Sequence, residues 1–315
     1  MLTVFAMPKP FQGHIATIQR NAIASWAQLR PACEILLFGN EHGTAQTAEE
    51  FGIRHAPEVA HNKYHTPLVN DLFARAEQLS SNPILCYVNS DIILMKDFVA
   101  ALQRIARWSE HFLMVGECWN LDLTEALVGA LPDWEKLLCD LVRQKGKPRG
   151  PHGIDYFAFS RGLYGQLPPF CLGRAHFDNW LIWRARFLNA AVVDATRLVL
   201  AVHQNHDYSH VSGGIRWSYE GEEAQRNLEL AGGRSHCYLI FDASHRLGTT
   251  GIRRNFAGYL RIKSRWTKLR DLLEDQMWSI VWKLAEATRP ARHAVGLNSS
   301  TLKRLKACLG GQRRT

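Results

Sequence analysis

The stretch Asn89-Ser90-Asp91 has the plainest capacity for chemistry in this chain. It separates two apolar runs, 84–89 and 92–94, and the first reads as a buried, β-branched strand. A carboxylate wedged between buried strands needs a partner for its charge. A divalent cation held through oxygen is one such partner. The same residue types also build turns, and Asp caps helices. The helix that follows, 98–108, has its own cap in Asp97, which leaves Asp91 without that task. Farther along, a strand closes on His203-Gln204-Asn205-His206-Asp207-Tyr208-Ser209-His210. Most such histidines lie on surfaces, but one placed directly at a strand end is well set to be a ligand. Asp178 precedes Trp180-Leu181-Ile182-Trp183 at a helix start. There it can cap the helix, and the helix dipole keeps its carboxylate ionised, as a general base requires.

The elements that must position these groups alternate. Strands are predicted at 2–7, 35–38, 53–55 and 84–89. Helices are predicted between them, with Ile15, Ile18, Ala22, Ile23 and Trp26 on one face, then over 44–51, then over 67–79 with Leu68, Leu72, Phe73 and Leu79 inward. Such alternation predicts an α/β fold with a doubly wound, mostly parallel sheet, which binds ligands at the carboxyl ends of its strands. Asn89-Ser90-Asp91 sits at such an end. A further strand is predicted at 112–115, mostly helix over 121–144 with a break at Leu131-Pro132, and a basic, flexible connector over 145–150. Two more strands follow at 191–193 and 198–202. Neither G-x-G-x-x-G after the first strand nor G-x-x-x-x-G-K-[ST] is present. A nucleotide would therefore be held by something other than a glycine cradle, and a divalent ion on Asp91 would serve.

With 315 residues, 46% hydrophobic and 21% charged, the composition is that of an ordinary globular protein. The first eleven residues carry no basic leader and read as a strand, not a signal peptide. No apolar run reaches the roughly 18 residues of a spanning helix. Seven dispersed cysteines without a C-x-x-C pair point to reduced thiols in a cytosol. The net charge of +9 is uneven. Residues 253–315 hold 15 Lys and Arg against 4 Asp and Glu, a balance of +11 that leaves 1–252 at −2. Nucleic acid and an anionic membrane both attract such a tail. An amphipathic helix is predicted over 266–284. Leu269, Leu272, Leu273 and Leu284 recur near helical spacing, with Trp266, Trp278 and Trp282 of interfacial type. It either meets a membrane surface or docks on the preceding domain.

Taken in order, these motifs resemble a bacterial glycosyltransferase of the GT-A, Rossmann-like fold, family-2-like among nucleotide-diphosphosugar transferases. Val88-Asn89-Ser90-Asp91-Ile92 looks like the D-x-D motif that holds a divalent ion on a nucleotide sugar. The stretch from Gly153-Ile154-Asp155-Tyr156-Phe157 to Asp178-Asn179-Trp180-Leu181 looks like the acceptor side, whose late acid serves inverting members as base. The histidine-rich stretch resembles the C-terminal histidine that completes the metal site. The likeness covers about 1–210. It departs at Asn89, where the motif has its first Asp, which lowers the charge of the site by one.

The resemblance implies Mn²⁺ or Mg²⁺ on Asp91 with His203 or His206. It implies donor contacts from Pro8, Lys9, Thr66, Asn89, Ser90 and Asp91. It implies catalysis by Asp178, with Asp155 next in line, and acceptor contacts from Asp155, Tyr156, Arg174 and Trp180. Asp155 could also simply pair with Arg161 or Arg174. The loop with His61 and His65 either touches the donor or is an ordinary surface loop. The implied organisation is a transferase domain at 1–252, with a donor half at 1–116 and an acceptor and histidine segment at 117–210. A basic helical extension at 253–315 follows. The implied partners are a nucleoside diphosphate sugar, UDP-sugar favoured, a glycan or lipid-linked acceptor, and an anionic membrane surface through 261–315. Nucleic acid is not expected. The implied setting is cytoplasmic, peripheral at the inner face of the plasma membrane, in surface polysaccharide or glycoconjugate synthesis. Two other readings share these residues. One is a catalytically inactive nucleotide- or sugar-binding scaffold, which Asn89 favours. The other is a nucleotidyltransferase, whose glycine- and basic-residue-rich loop 7–14 resembles only faintly.

Overall fold

The computed structural model describes residues 1–129, 132–206 and 214–264. One compact unit spans Met1–Leu260 and a second spans Arg261–Thr315. The amphipathic helix expected over 266–284 lies outside the described residues, as does His210.

The described strands are β1 (Leu2–Ala6), β2 (Glu34–Phe38), β3 (Arg54–Ala56), β4 (Ile84–Val88), β5 (Ile92–Ile93), β6 (Phe112–Val115), β7 (Cys118–Leu121), β8 (Lys147–Pro148), β9 (Tyr156–Ser160), β10 (Ala191–Asp194), β11 (Ala201–Gln204), β12 (His245–Gly248) and β13 (Gly251–Arg254). Nine of them form one sheet in the order β13-β12-β10-β6-β9-β4-β1-β2-β3. The pairings β1 with β2 and β4, β2 with β3, and β10 with β6 and β12 are parallel. The expected α/β architecture with a mostly parallel sheet is therefore present. Its exceptions are β9, antiparallel to both β4 and β6, and the terminal β12–β13 pair. Strand β13 crosses position 252, where the transferase domain was expected to end.

Every residue of β1 and β4 is buried, and alternate side chains serve opposite faces of the sheet. Val4, Ala6, Cys86 and Val88 join Ile23, Trp26 and Phe98 in the larger core cluster. Phe5 and Tyr87 point the other way, into an aromatic cluster with Phe73 and Phe159. Phe73 comes from the helix Val69–Leu79, whose buried face is Val69, Leu72, Phe73 and Ala76. Helix Gly13–Ala27 covers the first face through Ile18, Ala22, Ile23 and Trp26. It also turns three polar residues inward: Gln19, Asn21 and Ser25.

Chain direction makes the cleft. From β1 the chain runs outward to β2 and β3, then returns to β4 on the other side of β1. The carboxyl ends of β1 and β4 thus form the switch point at which doubly wound sheets open a crevice. The loop with Pro8 and Lys9 leaves β1 there, and Asn89-Ser90-Asp91 leaves β4 beside it. Because β9 is antiparallel to β4, with Val88 opposite Tyr156, Asp155 reaches the same end.

A second, four-stranded sheet runs β5-β11-β7-β8, and several expectations needed correction there. Helix was expected over 121–144. The helix is Trp134–Lys145, and Leu121, Leu123 and Val128 pack with Trp134, Leu138 and Val202 in a separate core cluster. The connector at 145–150 contains β8, paired with Trp119 and Asn120. The strand expected at 198–202 begins at Ala201, because Leu198 and Val199 both turn back to the Ala195 carbonyl. Asp97 is not a cap. Met95 is the N-cap of helix Lys96–Trp108, and the Asp97 carboxylate accepts the amides of Phe98 and Leu200, both at 2.8 Å. None of the described cysteines forms a disulfide. Among the described residues no helix is long and apolar enough to cross a membrane.

Candidate active site

Asp91 sits where the two sheets meet. Directly after it, β5 pairs antiparallel with β11, setting Ile92 opposite His203. The Asp91 carbonyl accepts the Gln204 amide at 3.2 Å and Gln204 Nε2 at 3.0 Å. This pairing delivers two imidazoles to one carboxylate. His206 Nε2 lies 3.0 Å from Asp91 Oδ2, and His203 Nε2 lies 3.9 Å from it. Lys9 Nζ approaches the same oxygen at 3.7 Å.

Burial works against charge on Asp91, but His203, His206 and Lys9 outweigh it and hold the carboxyl well below the usual range. Burial moves His203 below its ordinary value, against the pull of Asp91 and Asp155, toward the neutral imidazole that ligates metals.

Three observations show that this set fits a divalent ion. The ligand atoms of Asp91, His203 and His206 lie within 4.8 Å of one another. Asp91 Oδ1 and His203 Nδ1 are buried with no hydrogen-bond partner. His206 Nε2 faces Asp91 Oδ2 at 3.0 Å and Lys9 Nζ at 3.1 Å. One ring nitrogen can donate to the first or accept from the second, not both. A carboxylate with two imidazoles suits Mn²⁺ better than the all-oxygen preference of Mg²⁺.

The frame around these groups is polar and buried. Gln19 holds the loop after β1 by a two-point amide contact. Its Oε1 accepts the Lys9 amide at 2.7 Å and its Nε2 donates to the Lys9 carbonyl at 2.8 Å. Ser90 Oγ donates to the same Gln19 oxygen at 2.8 Å, so one side chain joins the two strand-end loops. Gln204, fully buried, donates to the Ile18 carbonyl at 2.7 Å and accepts from Asn21 Nδ2 at 3.0 Å. None of these glutamines was among the expected residues. Their signal in the sequence is a polar side chain on the inward stripe of an otherwise apolar helix, and one directly after a candidate ligand.

Beside this cluster stands a second set. Asn89 Oδ1 accepts the Tyr87 hydroxyl at 2.8 Å, and Asn89 Nδ2 donates to Asp155 Oδ1 at 3.0 Å. Asp155 Oδ2 pairs with Arg149 Nε at 3.4 Å, not with Arg161 or Arg174. Arg161 instead binds the carbonyls of Glu77, Ser80 and Asn82. Arg149 crosses close over Gly153, where a Cβ would fall 2.3 Å from the Arg149 Cβ. A side chain at 153 would displace Arg149 and with it the pair.

Asp178 lies in the first turn of helix Phe177–Phe187, whose N-cap is His176, so Asp178 is not the cap. Its Oδ1 accepts the Asn179 amide at 2.8 Å. Burial, with the negative charge of Asp155 adding to it, pushes its carboxyl up to about 6 despite the backbone amides that favour charge. Phe177 sets this turn against Tyr87, ring centroids 6.2 Å apart.

Other expected residues go elsewhere. Tyr156 is fully buried against Phe98 in the core. Trp180 is buried between Phe170 and Trp183. Neither ring is available to an acceptor, because one strand side and one helix side face the interior. Arg174 pairs with Glu223 at 2.8 Å and reaches Thr66 Oγ1 at 3.4 Å. Asn62 donates to Glu223 at 2.6 Å. Thr66 and Arg174 therefore brace the loop 61–67 on helix Glu222–Leu230. His61 and His65 are exposed on that loop, and His61 bridges to Pro67.

The fold and site together define a doubly wound α/β protein with a candidate Asp–His–His metal centre at its switch point. No protein-family model matches the chain, and no curated protein sequence matches it. Among solved structures, glucosyl-3-phosphoglycerate synthase from Mycobacterium tuberculosis is similar, in complex with Mn²⁺, UDP-glucose and phosphoglyceric acid. That match has 17% identity, covers 74% of this chain and 80% of that one, and has a TM-score of 0.46. The same enzyme with Mg²⁺ and UDP matches at 18% identity over the same shares with a TM-score of 0.45. A mycobacterial protein matches at 16% identity over 75% of this chain and 74% of that chain, also with a TM-score of 0.45.

Proposed function

We propose that the protein is a metal-dependent glycosyltransferase that moves a sugar from a nucleoside diphosphate sugar to an acceptor hydroxyl. The observation that carries this reading is the convergence of Asp91, His203, His206 and Lys9 at the carboxyl ends of β1 and β4. Asp91, His203 and His206 would hold the ion. When bound, a divalent ion neutralises charge on a departing diphosphate as a Lewis acid. Lys9 adds a fixed cation at the same place, and Gln19 keeps it there. Asp178 takes the proton of the acceptor hydroxyl, in an inverting transfer. A carboxyl near 6 is mostly ionised at neutral pH and basic enough to accept that proton. In this reading Asp155 is the contact for the acceptor hydroxyl, and Arg149 is its ion-pair partner.

The finer setting is part of the same proposal. A UDP-sugar is the favoured donor and a glycan or lipid-linked molecule the acceptor, in surface polysaccharide or glycoconjugate synthesis. The support for a membrane-facing role is the charge balance of +11 in 253–315.

A panel of nucleotide sugars with and without Mn²⁺ tests the reading by melting temperature and by slow donor hydrolysis. One nucleotide sugar is expected to raise the melting temperature and to be hydrolysed only when Mn²⁺ is present. Binding of a nucleotide sugar with no hydrolysis of any donor would favour the inactive scaffold. Pyrophosphate formation from a nucleoside triphosphate and a sugar phosphate would favour the nucleotidyltransferase.

A further inference from the structure

We propose that Asp155 supplies the second carboxylate of this site, and that Asn89 is the neutral residue that positions it. The inference deepens the transferase reading and rests on it. By sequence alone, Asn89 is a lost acid and a weakened site. The structure gives it a different role.

The Asn89 amide is oriented from both ends. Its oxygen accepts the Tyr87 hydroxyl at 2.8 Å, so its nitrogen is the end that faces Asp155 Oδ1 at 3.0 Å. The backbone fixes the two residues against each other. The Asn89 amide donates to the Asp155 carbonyl at 2.9 Å, one step beyond the Val88–Tyr156 pair of the β4–β9 ladder. Asp155 is 7% exposed, and its second oxygen lies 3.4 Å from Arg149 Nε. The set runs Tyr87, Asn89, Asp155, Arg149: the first two links are hydrogen bonds, and the last is an ion pair in which Asp155 Oδ2 stays buried without a hydrogen-bond partner.

An aspartate at 89 could still accept from Tyr87. Its other oxygen would stand where Nδ2 stands, about 3 Å from a buried carboxylate oxygen, and close like charges resist joint ionisation. Two acids at positions 89 and 155 would therefore not both be ionised in this packing; one would hold a proton, and the pair would carry no more charge than Asp155 does beside Asn89. The negative charge absent from 89 is present at 155, across one hydrogen bond. Asp91 and Asp155 are the two acids of the strand end, and Asn89 acts through Asp155.

The test compares the full chain as wild type, N89D, D155N and N89D/D155N. The exchange double variant puts the acid at 89 and the amide at 155, so the hydrogen bond can form in the opposite sense. Melting temperature is read without metal, and turnover is read with Mn²⁺ and the nucleotide sugar found by the panel. N89D is expected to melt roughly 3–6 °C below wild type and to lose about tenfold or more in rate. D155N is expected to lose rate as well. The double variant is expected to recover most of both losses, a non-additivity that contacting residues show and independent ones do not. Recovery of rate separates positioning from a merely structural contact. An N89D protein as stable and active as wild type would overturn the proposal, and so would a double variant no better than N89D. If no nucleotide sugar is turned over even by wild type, the transferase reading fails. The metal-free melting cycle then still decides whether Asn89 and Asp155 are coupled.

Discussion

Asp91→Asn is expected to abolish donor turnover while leaving the fold intact. The substitution keeps the size of the side chain and the main-chain bonds that tie Asp91 to Gln204. It removes the negative charge around which Lys9, His203 and His206 gather. Lewis-acid stabilisation of a leaving group is worth several kcal/mol, and each 1.36 kcal/mol is tenfold in rate. The loss is therefore on the order of 10²–10³-fold or more, and EDTA should reproduce it in the wild type. Circular dichroism checks the fold, and donor hydrolysis checks the rate. Undiminished hydrolysis in the variant or in EDTA would show that the cluster is not a catalytic metal site.

Asp178→Asn is the second large expected effect, and its pH dependence is part of it. Removing a general base costs roughly 10²–10⁴-fold in rate. In the wild type the base must be ionised, and burial places its carboxyl near 6. Activity should therefore fall as pH drops through about 6, and the variant should lose this limb. Stability moves the opposite way. The folded-state value lies above the ordinary 3.8, so the favourable contribution is complete below 3.8 and is lost as pH rises through about 6. Asparagine carries no such loss and keeps an oxygen for the Asn179 amide. At neutral pH the variant should melt no lower than wild type. Near wild-type transfer by a folded Asp178→Asn protein would remove Asp178 from catalysis and make Asp155 the next candidate. Retention of anomeric configuration in the product would overturn the inverting mechanism.

The parallel core was legible because its strands are buried on both faces. Such strands write themselves as short continuous apolar runs between amphipathic helices, as 84–88 and 112–115 do. The small sheet was not. Its strands β5 and β8 are two residues each, and β8 consists of a lysine and a proline. Leu121 and Val128 are seven residues apart, as on one helix face, yet with Leu123 they pack with Trp134 and Leu138 from outside any helix. In the site, Asp91, His203 and His206 could be found because strand ends place carboxylates and imidazoles where a cleft opens. Arg149 could not. It ends a basic run that reads as a solvated connector, and its partner Asp155 is chosen by a pairing of β9 with β4 that no local pattern encodes. Tyr156 and Trp180 erred the other way. An aromatic beside a functional acid suggests an acceptor platform, but strand and helix periodicity turn both rings into the core.

Manganese binding tests the central claim most directly. The wild-type chain is titrated with MnCl₂, with and without UDP, and the electron paramagnetic resonance of the free aquo ion is followed. His203→Ala and His206→Ala variants are run beside it. The predicted result is one ion taken up per wild-type chain, held more tightly when UDP is present, with uptake weakened in both variants. No uptake by the wild type, or equal uptake by the histidine variants, would contradict a metal centre built from Asp91, His203 and His206.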